Sequence, residues 1–130
     1  MIFDTTFIID VMHNDGKAIV KLHELINKNE PQLVTSLTIF ELFSGIERSK
    51  KPIEEKNKIV KILKGQLILH LDNDSAEKAG EIDGSLIKEG KMIDPIDSLI
   101  AGITMIKKDK ILTRNIKDFS KIKGIEIETY

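Results

Sequence analysis

Short runs of consecutive apolar residues alternate along the chain with longer stretches in which apolar residues recur every three or four positions. The short runs predict five strands, at residues 2–3, 33–34, 67–71, 111–113 and 125–127. The longer stretches predict amphipathic helices, because that spacing places the apolar side chains on one helix face. This alternation is typical of an α/β fold in which a parallel or mostly parallel sheet is covered by helices on both faces.

The predicted helices cover residues 7–12, 18–26, 38–46, 54–64, 74–87 and 95–106. Three of them begin with a polar residue that is followed three positions later by an acid: Thr38 with Glu41, Asp74 with Glu77, and Asp94 with Asp97. This spacing is typical of a capping box, in which each side chain bonds a free backbone N–H of the first turn. Taken one at a time, Glu41 and Asp97 are better explained as helix caps than as site residues.

The composition limits the class of protein. At 130 residues the chain has the length of one domain, and we expect a single domain over residues 1–130. The absence of cysteine excludes disulfides, zinc–thiolate sites and thiol nucleophiles. No apolar run approaches the roughly 20 residues of a membrane span, and the first residues do not resemble a secretory signal. We therefore expect a cytoplasmic protein without membrane contact.

Three acidic residues occupy corresponding positions in the predicted fold. Asp4 follows the first strand, while Glu41 and Asp97 lie in the first turns of helices. Strand ends and the helix starts that follow them meet at one edge of an open α/β sheet, so these carboxylates should lie together. Like charges raise one another's pKa unless a cation lies between them, and Mg²⁺ or Mn²⁺ suits such oxygen ligands. An ion of this kind can activate a water and hold a phosphodiester.

Other common sites are missing from the sequence. There is no glycine-rich phosphate loop and no nucleophile elbow, which argues against nucleotide binding and serine-hydrolase chemistry. The three histidines share no metal-ligand spacing, and we interpret all of them as structural or exposed: His13, His23 and His70.

Four short blocks, in order along the chain, resemble the signatures of PIN domains. The blocks are residues 2–6 (IFDTT), 35–45 (TSLTIFELFSG), 97–101 (DSLIA) and 112–119 (LTRNIKDF). The resemblance implies a three-layer α/β/α sandwich around a central, mostly parallel five-stranded sheet. It also implies a Mg²⁺- or Mn²⁺-dependent endoribonuclease, and the small size resembles the VapC-type toxins of toxin–antitoxin pairs.

The resemblance assigns roles to individual residues. Asp4, Glu41 and Asp97 match the metal-binding catalytic acids of the family. Asn115 stands where many members have Asp, so either Asn115 holds a metal-bound water or Asp118, the nearest remaining acid, binds the metal. Three further residues are expected to donate hydrogen bonds to Asp4 or to metal-bound water: Thr6, Thr113 and Asn115.

The net charge of −1 excludes a strongly basic protein that binds nucleic acid by bulk attraction. Residues 107–124 nevertheless hold seven basic side chains against Asp109 and Asp118, a local charge of +5. An ordinary solvated lysine-rich face would look the same, but this segment flanks the last family block. The candidates for RNA contact are Arg114, Lys117 and Lys121.

The resemblance further implies a homodimer and a VapB-type antitoxin partner. Phe40 and Phe43 lie on the helix at 38–46 and are candidates for a partner surface, although core packing is the better interpretation for at least one of them. Two other functions stay open. Asn115 suggests a catalytically degenerate PIN domain that binds RNA or protein, whereas a Mg²⁺-dependent phosphatase is disfavoured because Thr6 replaces the second Asp of its usual Asp-x-Asp motif.

Overall fold

The computed structural model describes all 130 residues, which form five strands and seven helices. In chain order these are β1 (Ile2–Phe3), α1 (Thr5–Met12), α2 (Gly16–Asn27), β2 (Leu33–Thr35), α3 (Ser36–Glu47), α4 (Pro52–Leu63), β3 (Leu67–Leu69), α5 (Asn73–Lys88), α6 (Pro95–Lys107), β4 (Lys110–Leu112), α7 (Ile116–Phe119) and β5 (Glu126–Glu128). None of the helices combines the length and the apolar character needed to cross a membrane.

The sheet has the strand order β3-β2-β1-β4-β5, and every neighbouring pair is parallel. The predicted α/β class is confirmed, and the sheet is wholly rather than mostly parallel. Because β1 lies in the centre, the chain builds outward on one side through β2 and β3 and then on the other through β4 and β5. The strand order therefore reverses next to β1, and in open α/β sheets ligands bind in the crevice at such a point.

Two hydrophobic clusters cover opposite faces of the sheet, as expected when neighbouring residues of a strand point to opposite sides. Phe3 belongs to one cluster with Phe7, and Ile2 belongs to the other with Ile100 and Phe119. Helices therefore pack on both faces, which gives the three layers predicted from the sequence.

Several element boundaries differ from those predicted. The strand expected at 67–71 ends at Leu69 and is an edge strand rather than a buried one, so Leu67 is 64% exposed. The last strand begins one residue later than predicted, and helix α7 lies between the last two strands, where no helix is predicted. Short apolar runs do not reveal whether a strand has a neighbour on each side, which explains the error at β3.

Two of the three predicted capping boxes are wrong. The N-cap of α3 is Thr35, whose Oγ1 accepts from the backbone N–H of Thr38 at 3.2 Å. The N-cap of α5 is Asp72, whose Oδ1 accepts from Ser75 at 2.8 Å. At α6, Asp94 is the N-cap as predicted and accepts from Ile96 at 2.8 Å. Glu41 consequently lies in the second turn of α3, too far along to cap it.

Helices α5 and α6 approach each other closely at Gly102. A Cβ added to Gly102 would lie 2.5 Å from the backbone oxygen of Ser75 and 2.8 Å from the Cβ of Ala79. We expect Gly102→Ala to force the helices apart and to lower the free energy of unfolding by about 1–3 kcal/mol, measured from urea denaturation midpoints.

Gly80→Ala is the matched control, because it lies in α5 and its added Cβ would meet no atom within 4 Å. Here the gain in helix propensity should raise stability by about 0.5–1 kcal/mol. Equal effects of the two substitutions would contradict the close packing.

Candidate active site

Asp4 lies at the carboxyl end of β1 and is almost fully buried. Its Oδ2 accepts hydrogen bonds from Thr113 Oγ1 at 2.7 Å and from Thr6 Oγ1 at 3.0 Å. Although Asp4 occupies the N-cap position of α1, its side chain makes no capping hydrogen bond. The carboxylate is therefore oriented by two hydroxyl groups, which are those of the residues predicted to surround it.

Glu41 projects from α3 towards the junction between β1 and α1. Its Oε1 accepts from Thr5 Oγ1 at 2.7 Å, and Thr5 Oγ1 also lies 3.2 Å from Thr38 Oγ1. The interpretation of Glu41 as a helix cap is wrong, because its partner is a side chain of another helix. No sequence pattern identifies Thr5 as the partner of Glu41, because the two residues lie 36 positions apart in the chain.

Asp97 lies in the first turn of α6, where its Oδ2 is 3.3 Å from Asn115 Nδ2. The same amide nitrogen is 3.2 Å from Asp118 Oδ2. Since the nitrogen of an amide carries two hydrogens, Asn115 can donate to both carboxylates. Asp97 makes no reciprocal capping bond at α6. Both candidates for the fourth site position, Asn115 and Asp118, lie at this site.

The acids lie close enough to affect one another's ionisation. Burial, followed by the charges of Asp4, Glu41, Asp94 and Asp118, raises the pKa of Asp97 to about 7. Burial also raises the pKa of Asp4 and of Glu41, and the Asp4 charge contributes at Glu41. No cationic side chain acts on these three pKa values, and none forms an ion pair with these acids.

The donor set is chemically suited to a hard divalent cation, since carboxylate oxygens predominate and sulfur and imidazole are absent. No three acidic side chains are placed to ligate one ion together. An ion would therefore draw most of its ligands from water, which is the usual mode of Mg²⁺ binding. The fit is that of a hydrated ion held through one or two carboxylates.

The basic residues predicted to contact RNA differ in their surroundings. Arg114 Nη1 contacts both carboxylate oxygens of Asp10, at 2.7 and 2.9 Å. Lys121 Nζ is 3.5 Å from Asp118, whereas Lys117 is exposed and forms no ion pair. The three histidines are all exposed and lie outside the site. Local sequence carries no signal for the Asp10 contact, because its partner is more than a hundred residues away.

The raised pKa of Asp97 predicts a pH dependence of stability. The folded protein binds this proton more tightly than the unfolded chain, so the stabilisation is full below the ordinary carboxyl pKa of 3.8 and is lost as the pH rises to about 7. Asp97→Asn, which resembles the protonated acid, should remove this loss. In EDTA it should raise the melting temperature at about pH 8 and change it little at about pH 4.

Glu77→Gln, at an exposed position on α5, is the control and should leave the pH profile unchanged. Added Mg²⁺ should stabilise the parent at the higher pH more than it stabilises Asp97→Asn. A melting temperature of Asp97→Asn that followed the parent across the whole pH range would contradict the assigned cluster of charges.

Known proteins resemble this chain over most of its length. The family model of the PIN domain matches residues 1–125. The tRNA(fMet)-specific endonuclease VapC of Salmonella typhimurium is 28% identical over 110 residues, which are 84% of this chain and 83% of the relative. Ribonuclease VapC2 of Rickettsia felis is 28% identical over 107 residues, covering 82% and 80% of the two chains.

Solved structures show the same architecture. The crystal structure of VapBC2 from Rickettsia felis, bound to a DNA fragment from the promoter, superposes with a TM-score of 0.90 at 25% identity and covers 100% of this chain and 99% of that one. DNA-bound VapBC from Salmonella typhimurium gives a TM-score of 0.88 at 26% identity, with 98% and 96% coverage. Together with the edge-of-sheet acids, these matches establish that the chain belongs to the PIN domain family.

Proposed function

We propose that this protein is a metal-dependent endoribonuclease that hydrolyses RNA phosphodiesters and acts as the toxin of a VapBC-type pair. The observation that carries the proposal is the convergence of Asp4, Glu41 and Asp97, from three separate segments, without any cationic partner. The relatives named endonuclease and ribonuclease VapC support the same reaction.

We propose Mg²⁺ or Mn²⁺ as the cofactor, bound directly by one or two of the acids Asp4, Glu41 and Asp97 and by the remaining acids through bound water. When bound, such an ion lowers the pKa of water for attack on phosphorus and stabilises the leaving oxygen. The chain's own residues set the geometry: Thr6 and Thr113 orient Asp4, and Thr5 orients Glu41. The pKa of Asp97 is raised to about 7, and a bound cation would favour the ionised form of this carboxyl group.

Asn115 and Asp118 divide the role of the fourth site position in this proposal. Asn115 Nδ2 reaches both Asp97 and Asp118, so the amide aligns the two carboxylates rather than replacing one of them. Asp118 then supplies the acidic oxygen of the fourth position, which is one of the two alternatives that the sequence leaves open. Lys117 and Lys121 flank this position, and together with Arg114 they are proposed to contact the RNA backbone.

A PIN domain that binds without cutting is the second candidate function. One observation favours it: no three acids are placed to ligate one ion directly. Saturable Mn²⁺ binding that is lost in Glu41→Gln and Asp97→Asn would favour the enzyme, whereas tight RNA binding without Mn²⁺ binding would favour the binding module.

We expect Asp4→Asn to reduce RNA cleavage by more than about 100-fold, because it removes a buried charged ligand. Thr113→Val, which removes only the hydroxyl that orients Asp4, should cost about 10–100-fold. The measurement is cleavage of total RNA in Mg²⁺ and in Mn²⁺, with circular dichroism to verify folding.

Glu77→Gln is again the matched control and should cleave normally. Asp118→Asn and Asn115→Ala separate the two interpretations of the fourth position: the proposal expects the larger loss from Asp118→Asn. Undiminished cleavage by folded Asp4→Asn would show that the site has been assigned wrongly.

We also propose a VapB-type antitoxin as partner and a homodimer as the oligomeric state. The solved relatives named VapBC support the first of these. The surface of α3 offers a contact, because Phe40 is 61% exposed beside Glu41, while Phe43 is half-buried against the core as expected for at least one of the pair.

A VapB-type antitoxin should bind the chain and block cleavage, and a short open reading frame next to this gene would be the first candidate to test. Phe40→Ser should weaken that inhibition about tenfold or more, since exposed aromatic residues often anchor interfaces, and should leave cleavage by the isolated chain unchanged. Val20→Ser, at a 69% exposed position on α2, is the control. Size-exclusion chromatography and a cleavage titration make the measurement, and equal inhibition of both variants would contradict the proposed contact.

A further inference from the structure

A second cluster of polar residues lies beside the acidic site and takes no part in it. Asp10, on α1, is buried, and Tyr130 OH donates to its Oδ2 at 2.6 Å. Arg114 Nη1 contacts both of its oxygens, at 2.7 and 2.9 Å. A buried carboxylate needs such partners, because an unpaired charge in this environment would cost several kcal/mol. The three side chains come from α1, from the segment after β4 and from the segment after β5.

Tyr130 is fixed on both sides. Its ring packs edge-to-face on Phe7, with the ring centroids 4.9 Å apart, and Phe7 is fully buried. Burial and the neighbouring Asp10 carboxylate raise the pKa of the Tyr130 phenol, so it stays protonated and remains a hydrogen-bond donor. The Asp10 carboxylate is therefore held rigidly before any contact with Arg114 is considered.

Asp10 holds the guanidinium of Arg114 but uses only one of its three nitrogens. Only Nη1 is used by Asp10, and the N–H groups on Nη2 and Nε donate to no protein acceptor. The Arg114 side chain is 61% exposed, so these donors face solvent. Two adjacent N–H groups of a guanidinium fit the oxygens of a phosphate bidentately, which a lysine cannot do.

The position of Arg114 relative to the acids is also fixed. Its backbone N–H donates to Thr6 Oγ1 at 3.1 Å, and Thr6 and Thr113 both bond Asp4. The Arg114 charge is nevertheless absent from the groups that shift the pKa of Asp4, Glu41 and Asp97. The guanidinium thus lies next to the acidic site without neutralising it, which suits a phosphate beside the one that is cut.

We propose that Arg114 binds a phosphate flanking the scissile one, and that Asp10 and Tyr130 are positioning residues that hold its guanidinium. This inference rests on the proposed ribonuclease function. It differs from a general basic surface, because the binding group is a single oriented arginine rather than the summed charge of the lysines.

Two substitutions distinguish a positioned guanidinium from general electrostatic attraction to RNA. Asp10→Asn removes a negative charge, so simple attraction to RNA predicts tighter binding, whereas loss of the positioned guanidinium predicts weaker binding. Tyr130→Phe changes no charge and keeps the ring on Phe7, so attraction alone predicts no effect. The affinity for a labelled single-stranded RNA of about 12 nucleotides, a length within the usual range of such sites, is measured over a salt series in Mg²⁺. All variants carry Asp97→Asn, which removes a proposed metal ligand and should prevent cleavage of the RNA.

We expect Arg114→Gln to weaken binding about tenfold and to lower the salt slope by about 0.7, as for one lost phosphate contact on a single strand. Asp10→Asn and Tyr130→Phe should each weaken it about threefold or more without lowering the slope, since the arginine charge remains. Adding either change to Arg114→Gln should have no further effect. Arg48→Gln, at the only other arginine of the chain, is the matched control.

Melting temperatures verify that each variant is folded. If Asp10→Asn does not fold, the test of the positioning role rests on Tyr130→Phe. Unchanged or tighter binding by folded Asp10→Asn or Tyr130→Phe overturns the inference. If the parent chain cleaves RNA, that result leaves the ribonuclease proposal standing. If the parent neither binds nor cleaves RNA, the ribonuclease proposal fails and this inference fails with it.

Discussion

The parallel pairing of β1 with β4 is the constraint on which the rest of the site depends. Phe3 stands opposite Leu112, so the next residues along each strand, Asp4 and Thr113, leave the sheet side by side. The backbone N–H of Asp4 donates to the oxygen of Leu112 at 3.0 Å, and the Thr113 hydroxyl then reaches the Asp4 carboxylate. A shift of one strand by one residue would separate the two groups and turn one of the two side chains to the other face.

Around this pairing the fold holds together charges that repel one another. Buried packing on both faces of the sheet stabilises an edge where the pKa values of Asp4, Glu41 and Asp97 are all raised. Hydroxyl and amide groups, rather than cations, orient these acids, so their charge stays available. Beside them, the Asp10 carboxylate has its own cation in Arg114. The structure thus separates three acids that have no cationic partner, Asp4, Glu41 and Asp97, from a neighbouring, compensated pair.

Sequence reasoning recovered much of this arrangement. The alternation of apolar runs predicted the α/β class, and the four family blocks predicted that Asp4, Glu41 and Asp97 share one site. It failed where a residue's partner depends on distant segments. Glu41 satisfies a local capping pattern, yet α3 begins two residues before Thr38 and Glu41 bonds Thr5 instead. The edge position of β3 was missed for the same reason, since an apolar run does not show how many neighbours a strand has.

The sequence by itself determined the class of fold, the family and the identity of the acids, because periodicity and short motifs are local properties of the chain. Only the tertiary structure decided what those residues touch. The contacts of Asn115 with Asp97, of Arg114 with Asp10 and of Tyr130 with Asp10 join segments that lie far apart in the sequence. Such contacts follow from the register of the strands and the packing of the helices, and no spacing along the chain encodes them.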